Sequence, residues 1–239
     1  MLLVRKGLAE SREKARALIM AGVVDVGGTR VDKPGHAVPE SADIVLRSSS
    51  LPYVSRGGLK LAEALQRFPL DVRGRTVMDV GASTGGFTDC LLQNGASRVI
   101  AVDVGHGQFH WTLRNDPRVR LMERTNIRHL TPGDLGEPVE GAVIDVSFIS
   151  LRLVVPVVSR LLEPGAWMVT LVKPQFEVGR DRVGKGGVVR DPKLHARVLE
   201  DLSERFRSEG WSVKARTESP VLGPKGNREF LLHLERTGP

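Results

Sequence analysis

Four charged side chains stand where apolar runs end and glycine-rich turns begin. Lys60 follows Ser55-Arg56-Gly57-Gly58 at the start of a helical pattern, and Asp145 ends the apolar run 142–144. Lys173 ends the run 168–172 just ahead of Pro174, and Glu229 follows the turn-forming stretch 223–228, GPKGNR. Singly, each reads most simply as a solvated residue at the end of an element. Jointly they form a Lys-Asp-Lys-Glu set whose chemistry suits methyl transfer to a hydroxyl. A ribose 2′-OH is a weak nucleophile that must be aligned with the bond being broken and relieved of its proton. Lys173 serves either as general base or by orienting the hydroxyl. Neighbouring Asp145 and Glu229 favour its ammonium form and so oppose the first role; in the second, the final proton acceptor stays open. Lys60 then adds positive charge near the oxygen or holds the backbone.

A donor for such a reaction needs its own cradle, and residues 79–89, DVGASTGGFTD, provide one. An apolar run ends in Asp79, then Gly81, Gly85 and Gly86 lead into a helix. Small residues let backbone approach a ligand closely, and a helix start offers free N–H groups. The spacing departs from the dinucleotide fingerprint, because Ser83 occupies the place of its second glycine, and no Gly-Lys-Ser/Thr follows as a Walker-type phosphate loop requires. A nucleoside-like cofactor remains. Asp103, closing the next apolar run, is placed to accept hydrogen bonds from a ribose diol.

The elements that must position these residues alternate. Apolar runs at Thr76–Val80, 99–102, Val119–Met122, 141–146 and Trp167–Val172 read as strands. Helical patterns fall at 87–92, 151–162 (with Pro156 as a kink or break) and Pro192–Ser208. Two strand-like segments, 211–217 and 229–234, end the chain. Alternation of this kind predicts an α/β fold, a doubly wound, mostly parallel sheet covered on both faces, with one antiparallel strand at its edge. Ahead of it, Ser11 as N-cap, Ala15, Leu18 and Ile19 at helical spacing, and Gly22 as a stop predict a helix. Short strands follow around Gly27-Gly28. The composition of residues 47–52, RSSSLP, places a boundary near 52, giving a small α+β domain over 1–52 and a large one over 53–239.

The 239 residues carry a formal charge of +7, and the pI is about 10. Residues 1–24 hold Arg5, Lys6, Arg12, Lys14 and Arg16 against Glu10 and Glu13. Both facts favour a polyanionic partner. No run approaches the roughly 18 apolar residues that span a bilayer, and one cysteine, Cys90, forms no internal disulfide framework; a cytoplasmic location without membrane contact is expected. The six histidines show no metal-ligand spacing, so no metal is expected. The oligomeric state is not legible. The loop 179–187, GRDRVGKGG, reads either as an RNA-contacting lid or as a plain surface loop.

The motifs VSRGGLKL (54–61), DVGASTGGFTD (79–89), LRNDPRV (113–119), ERTNIR (123–128), DVSFISL (145–151), LVKPQFEVG (171–179) and GPKGNREFLL (223–232) resemble the TlyA-type RNA methyltransferases. Their catalytic domain is similar to that of the FtsJ ribose 2′-O-methyltransferases, and the N-terminal stretch resembles an S4-type RNA-binding domain. The resemblance implies a Rossmann-like methyltransferase sheet, S-adenosylmethionine as donor, and a cytidine 2′-OH of ribosomal RNA, free or within a ribosomal subunit, as acceptor. It implies Lys60, Asp145, Lys173 and Glu229 as the catalytic tetrad. It places Asp79, Gly81, Ala82, Ser83, Thr84, Gly85, Gly86, Phe87, Asp103, Asn126 and Asp145 around the cofactor. Relatives with an Arg-x-Trp-Val linker differ from the Leu51-Pro-Tyr53-Val54 found here. The family also carries a haemolysin label, which nothing in the sequence supports.

Rival chemistries fit less well. A 5-methylcytosine enzyme needs a nucleophilic cysteine, whereas Cys90 lies among Leu91 and Leu92 and reads as structural. Amino-methylating enzymes carry Asn/Asp-Pro-Pro-aromatic where this chain reads Asp145-Val-Ser-Phe148. A pseudouridine synthase has no use for the cofactor loop, and a pure binding protein has none for the tetrad.

Overall fold

The computed structural model describes residues 2–9, 11–20, 22–46 and 51–236. Most of the boundary segment read from composition, residues 47–50, lies outside them. The N-terminal part holds α1 (Leu2–Arg5), α2 (Arg12–Met20), β1 (Val24–Val26), β2 (Thr29–Val31) and β3 (Ile44–Leu46). Ser11 caps α2 by accepting from the Lys14 N–H at 3.1 Å. The three strands form an antiparallel sheet with β1 central, and Leu3, Ala15 and Val24 make its small core.

The rest alternates. In order come α3 (Gly57–Arg67), β4 (Thr76–Val80), α4 (Gly86–Gln93), β5 (Arg98–Val102), α5 (Trp111–Arg114), β6 (Val119–Met122), α6 (Pro132–Leu135), β7 (Gly141–Ile144), α7 (Leu151–Ser159), β8 (Trp167–Val172), α8 (Pro192–Ser208), β9 (Trp211–Glu218) and β10 (Phe230–Arg236). Strand order is β6-β5-β4-β7-β8-β10-β9. The apolar runs alternate faces along each strand. Met78, Val80, Ile100 and Val102 pack with α7 and α8 on one side, while Val77, Val99, Ala101 and Leu171 pack with α3 and α4 on the other. Helix α7 continues through Pro156 and ends at Ser159, three residues short of the sequence expectation.

The antiparallel strand sits one place in from the edge expected for it. β10 pairs antiparallel with β8 and with β9, so β9 forms the edge and runs with the parallel strands. The side chains explain the order. Leu231, Leu232, His233 and Leu234 are all buried, as a strand covered on both faces requires. From Val213 on, β9 alternates half-buried and exposed residues and turns Lys214 and Arg216 outward, as suits an edge.

His233 is the exception in that apolar strand. Its ring is fully buried and stacks on Phe68, which follows α3, with centroids 5.7 Å apart. Burial holds its pKa below the ordinary histidine value; nearby Glu235 offsets this in part, and Lys214 reinforces it. An unfolded chain takes up this proton near pH 6.5, and the folded one only at lower pH. Between the two values the unfolded state binds more protons, so stability falls as pH drops below about 6.5. Thermal melts between pH 5 and 8 should show this slope, and His233→Phe should flatten it; an unchanged slope would count against the assignment.

Candidate active site

The strand order reverses between β4 and β7, since β5 and β6 lie to one side and β8 to the other. At such a switch point the chain leaves neighbouring strand ends in opposite directions and opens a crevice. Gly81 follows β4 there and Asp145 follows β7. They are locked together: the Asp145 N–H donates to the Val80 carbonyl at 2.9 Å. A Cβ on Gly81 (φ +85°) would lie 2.4 Å from the Asp145 carbonyl oxygen, so only glycine fits. The loop then folds back on β5, with the Gly81 and Ala82 N–H groups donating to the Val102 carbonyl. Gly85, left-handed at φ +94°, opens α4 without a side-chain cap, which leaves first-turn N–H groups at the crevice.

This crevice is a cavity of about 250 Å³ whose walls include Gly81, Ala82, Ser83 and Thr84 together with Lys60, Asp145, Lys173 and Glu229. The four charged residues expected from the sequence therefore converge. They do so as two ion pairs. Lys173 Nζ lies 2.5 Å from Asp145 Oδ1 and donates to Ser147 Oγ at 2.9 Å. Lys60 Nζ donates to Glu229 Oε2 at 2.6 Å, and the Glu229 side chain is wholly buried. The register explains how residues so distant meet: Phe230 pairs with Val172, which puts Glu229 beside Lys173 at the carboxyl end of β8. Lys60 arrives from α3, whose Gly57 and Gly58 pack tightly on α4. A Cβ on Gly86 would come within 2.9 Å of the Gly58 nitrogen and 2.3 Å of Ser55 Oγ.

Other expected residues lie elsewhere. Asp79 is beneath the loop on the α4 face, fully buried, with its Oδ2 accepting from the Thr88 hydroxyl at 2.7 Å. Burial pushes its carboxyl up to about 7, and the Thr88 hydrogen bond opposes the rise. Asp103 braces the loop, accepting from the Ser83 N–H at 2.7 Å and the Gly105 N–H at 2.6 Å. Oδ1 also accepts from the Gln108 amide at 3.3 Å, so the lone pair left for a ligand is on Oδ2. Asn126 caps the short turn Ile127–His129 by accepting from the Arg128 N–H at 3.1 Å. Neither Asp103 nor Asn126 lines the cavity that holds the four charged residues. The five N-terminal cations are exposed; Arg5 pairs with Glu40 at 2.7 Å and Lys6 donates to the Ala42 carbonyl at 2.9 Å. Cys90 is buried, and burial pushes its thiol up to about 12, far from a reactive thiolate.

Three residues of consequence escaped the sequence reading. Ser147 shares the Lys173 ammonium. Gly223 gives Glu229 its room, since a Cβ there would lie 2.1 Å from Glu229 Oε1. Buried Asn227 ties two loops together: its Oδ1 accepts from the Val189 N–H at 3.1 Å, and its Nδ2 donates to the Gly187 and Pro224 carbonyls at 3.0 Å each. The glycine-rich loop 179–187 is thus fastened at its far end to the turn that presents Glu229. Only Gly223 left a trace in the sequence, as part of a Gly-Pro turn.

Residues 53–236 match the family of FtsJ-like methyltransferases, and residues 1–44 match the S4 domain. The chain belongs to the TlyA-type, FtsJ-like methyltransferases. YqxC of Bacillus subtilis is 54% identical over 99% of this chain and 85% of its own length. The 16S/23S rRNA (cytidine-2′-O)-methyltransferase TlyA of Mycobacterium tuberculosis is 49% identical over 97% and 87%. A solved structure from Streptococcus thermophilus, named as a hemolysin, is 48% identical, covers 99% of this chain and 86% of its own, and superposes with a TM-score of 0.79. Among the described residues no helix is long and apolar enough to cross a membrane. For this FtsJ-like enzyme, Gly223→Ala should dislodge Glu229 from Lys60 and slow methyl transfer on the order of 10²-fold, with cofactor affinity by calorimetry unchanged. Wild-type turnover in the variant would refute the close approach.

Proposed function

We propose that this chain transfers the methyl group of S-adenosylmethionine to the ribose 2′-OH of a cytidine in ribosomal RNA, acting in the cytoplasm on free rRNA or a ribosomal subunit. The observation that carries the reading is the Lys173 ammonium. It has three donor positions; Ser147 takes one, Asp145 holds the charge as an ion pair at 2.5 Å, and a remaining donor is available to a hydroxyl oxygen entering the cleft. Lys173 so held orients the hydroxyl, which is the second of the two roles considered for it. The Lys60–Glu229 pair adds a second fixed charge arrangement in the same wall.

The residues at the switch point suit the cofactor. Uncapped N–H groups of α4 offer donors to a carboxylate, and Asp145 offers an acceptor to a cationic group. Gly81, Ala82, Ser83 and Thr84 line the cavity between them. When bound there, S-adenosylmethionine supplies a methyl group activated by its sulfonium. The chain's own part is alignment and electrostatics in a site partly closed to water.

The division into an RNA-docking part over 1–52 and a catalytic part over 53–239 follows from this reading. Arg5, Lys6, Arg12, Lys14 and Arg16 would meet phosphates, which position the substrate without specifying it. The M. tuberculosis relative's name supports cytidine in rRNA as the target. The buried, proton-holding environment of Cys90 argues against the route to 5-methylcytosine, which needs a thiolate.

Incubation with labelled S-adenosylmethionine and ribosomal subunits or free rRNA, followed by mapping of 2′-O-methyl sites, tests the reading. Label at a cytidine ribose is expected, and no transfer to any of these RNAs would overturn it. Lys173→Ala should abolish transfer while calorimetry still detects cofactor binding; full activity in that variant would remove Lys173 from the mechanism. Replacing the five N-terminal cations with glutamine should weaken rRNA binding and flatten its salt dependence. Unchanged affinity and slope would exclude this face from docking.

A further inference from the structure

A second cavity, about 310 Å³, lies between the start of α7, the first half of α8 and the segment after β8, and Arg152, Arg182 and Arg197 converge on it. One wall is the segment from Glu177 to Arg182, which begins four residues past Lys173. Another is the first turn of α7, reached seven residues after Asp145.

Three open guanidinium groups around one cavity set this place apart. Arg73 closes on Asp71 and Arg118 on Asp116, each through two nitrogens with a shortest approach of 2.7 Å, and Arg228 clasps Glu218, whereas Arg75 is open too, 3.6 Å from Glu140, but stands alone. Around this cavity the ion pairs stay open. Arg152 stands 3.7 Å and Arg197 3.9 Å from the shared Asp201 Oδ2, and Arg182 stands 3.9 Å from Asp181. None of the three guanidinium groups donates a hydrogen bond to the described residues, and the Arg152 Nε is buried without a partner. Glu177, the remaining acid in the wall, feels the charge of Arg152 but forms no hydrogen bond or close ion pair with it. Its oxygens accept from Ser150 Oγ at 2.6 Å and the Leu151 N–H at 2.8 Å, and burial raises its pKa.

We infer that this cavity seats a backbone phosphate of the RNA strand flanking the methylated nucleotide. The inference rests on the functional reading above. Guanidinium forks match phosphate oxygens in pairs, and three of them with free donors around one cavity form a site of that shape. Asp201 brings Arg152 and Arg197 toward one oxygen while closing on neither. The chain segment that leaves β8 through Lys173 continues into this wall, so a strand whose nucleotide sits at Lys173 would meet the seat with its flanking backbone.

The test compares binding of the full-length chain to free 16S and 23S rRNA across a range of salt concentrations. In the double variant R152Q/R197Q, affinity should drop about tenfold or more. The slope of log affinity against log salt should fall by about 0.7 to 0.9 for each phosphate that the variant no longer neutralises. S-adenosylmethionine affinity should be unchanged, which also shows that the variant is folded, and KM for RNA should rise with kcat nearly kept. Arg182→Gln, on a different wall, should give a smaller change of the same kind. Arg73→Gln removes one charge, as Arg182→Gln does, but from a guanidinium already closed on Asp71, and should leave the slope alone. An unchanged slope in R152Q/R197Q, or an equal change in Arg73→Gln, would overturn the seat while leaving the methyltransferase reading intact. Failure of the wild-type chain to bind or methylate rRNA would instead overturn that reading, and the seat with it.

Discussion

The direction of one strand governs the site. In a parallel sheet every strand delivers its carboxyl end to the ligand edge, and its amino end to the opposite side. β10 runs against its neighbours, and so delivers its amino end to the ligand edge. Glu229 reaches Lys60 and stands next to Lys173 for that reason alone. Inserting β10 between β8 and β9 also explains why the last strand is the apolar one, buried on both faces. The burial that fixes the sheet order and the chemistry at its edge are therefore one constraint.

Around this strand, close backbone approaches do the positioning. Gly81 meets the Asp145 carbonyl, Gly86 meets the start of α3, and Gly223 meets the Glu229 carboxylate. Each approach joins an element carrying a charged group to an element shaping the cavity. The glycines of the loop thus serve the protein's own packing first. A removed partner in the Lys60–Glu229 pair would leave a buried charge, a change that typically costs about 3–5 kcal/mol, so the charged cluster and the fold share their stability.

Much of this was legible in the sequence because period and punctuation are local. Thr76–Val80, Val119–Met122, Trp167–Val172 and Pro192–Ser208 appear with the bounds their apolar patterns suggested. Asp145 and Lys173 were visible as polar breaks after such runs, Glu229 as one ahead of a run, and Lys60 as a charge behind a glycine pair. The order of the last two strands was not read, although its signal was present: Lys214 and Arg216 alternate with apolar residues in β9, whereas β10 is nearly continuous. Asp79 opens the glycine loop in the sequence, yet strand alternation turns it toward α4 and Thr88 instead of the cavity. Ser147, Asn227 and the open guanidinium groups depend on distant partners, and no local pattern marks a serine or an arginine by what lies across a fold.

The lone thiol has a practical side. Cys90 is fully buried, its sulfur accepts from the Asn94 amide at 3.6 Å, and its proton is held tightly. Maleimides and other thiol reagents attack exposed thiolates, so the native chain is silent toward them. A cysteine introduced on the surface becomes the sole reactive handle with no need to engineer Cys90 away. Two such cysteines, one on the N-terminal sheet and one on the catalytic sheet, can then carry a pair of fluorophores or spin labels, and the separation of the two can be followed as RNA is added.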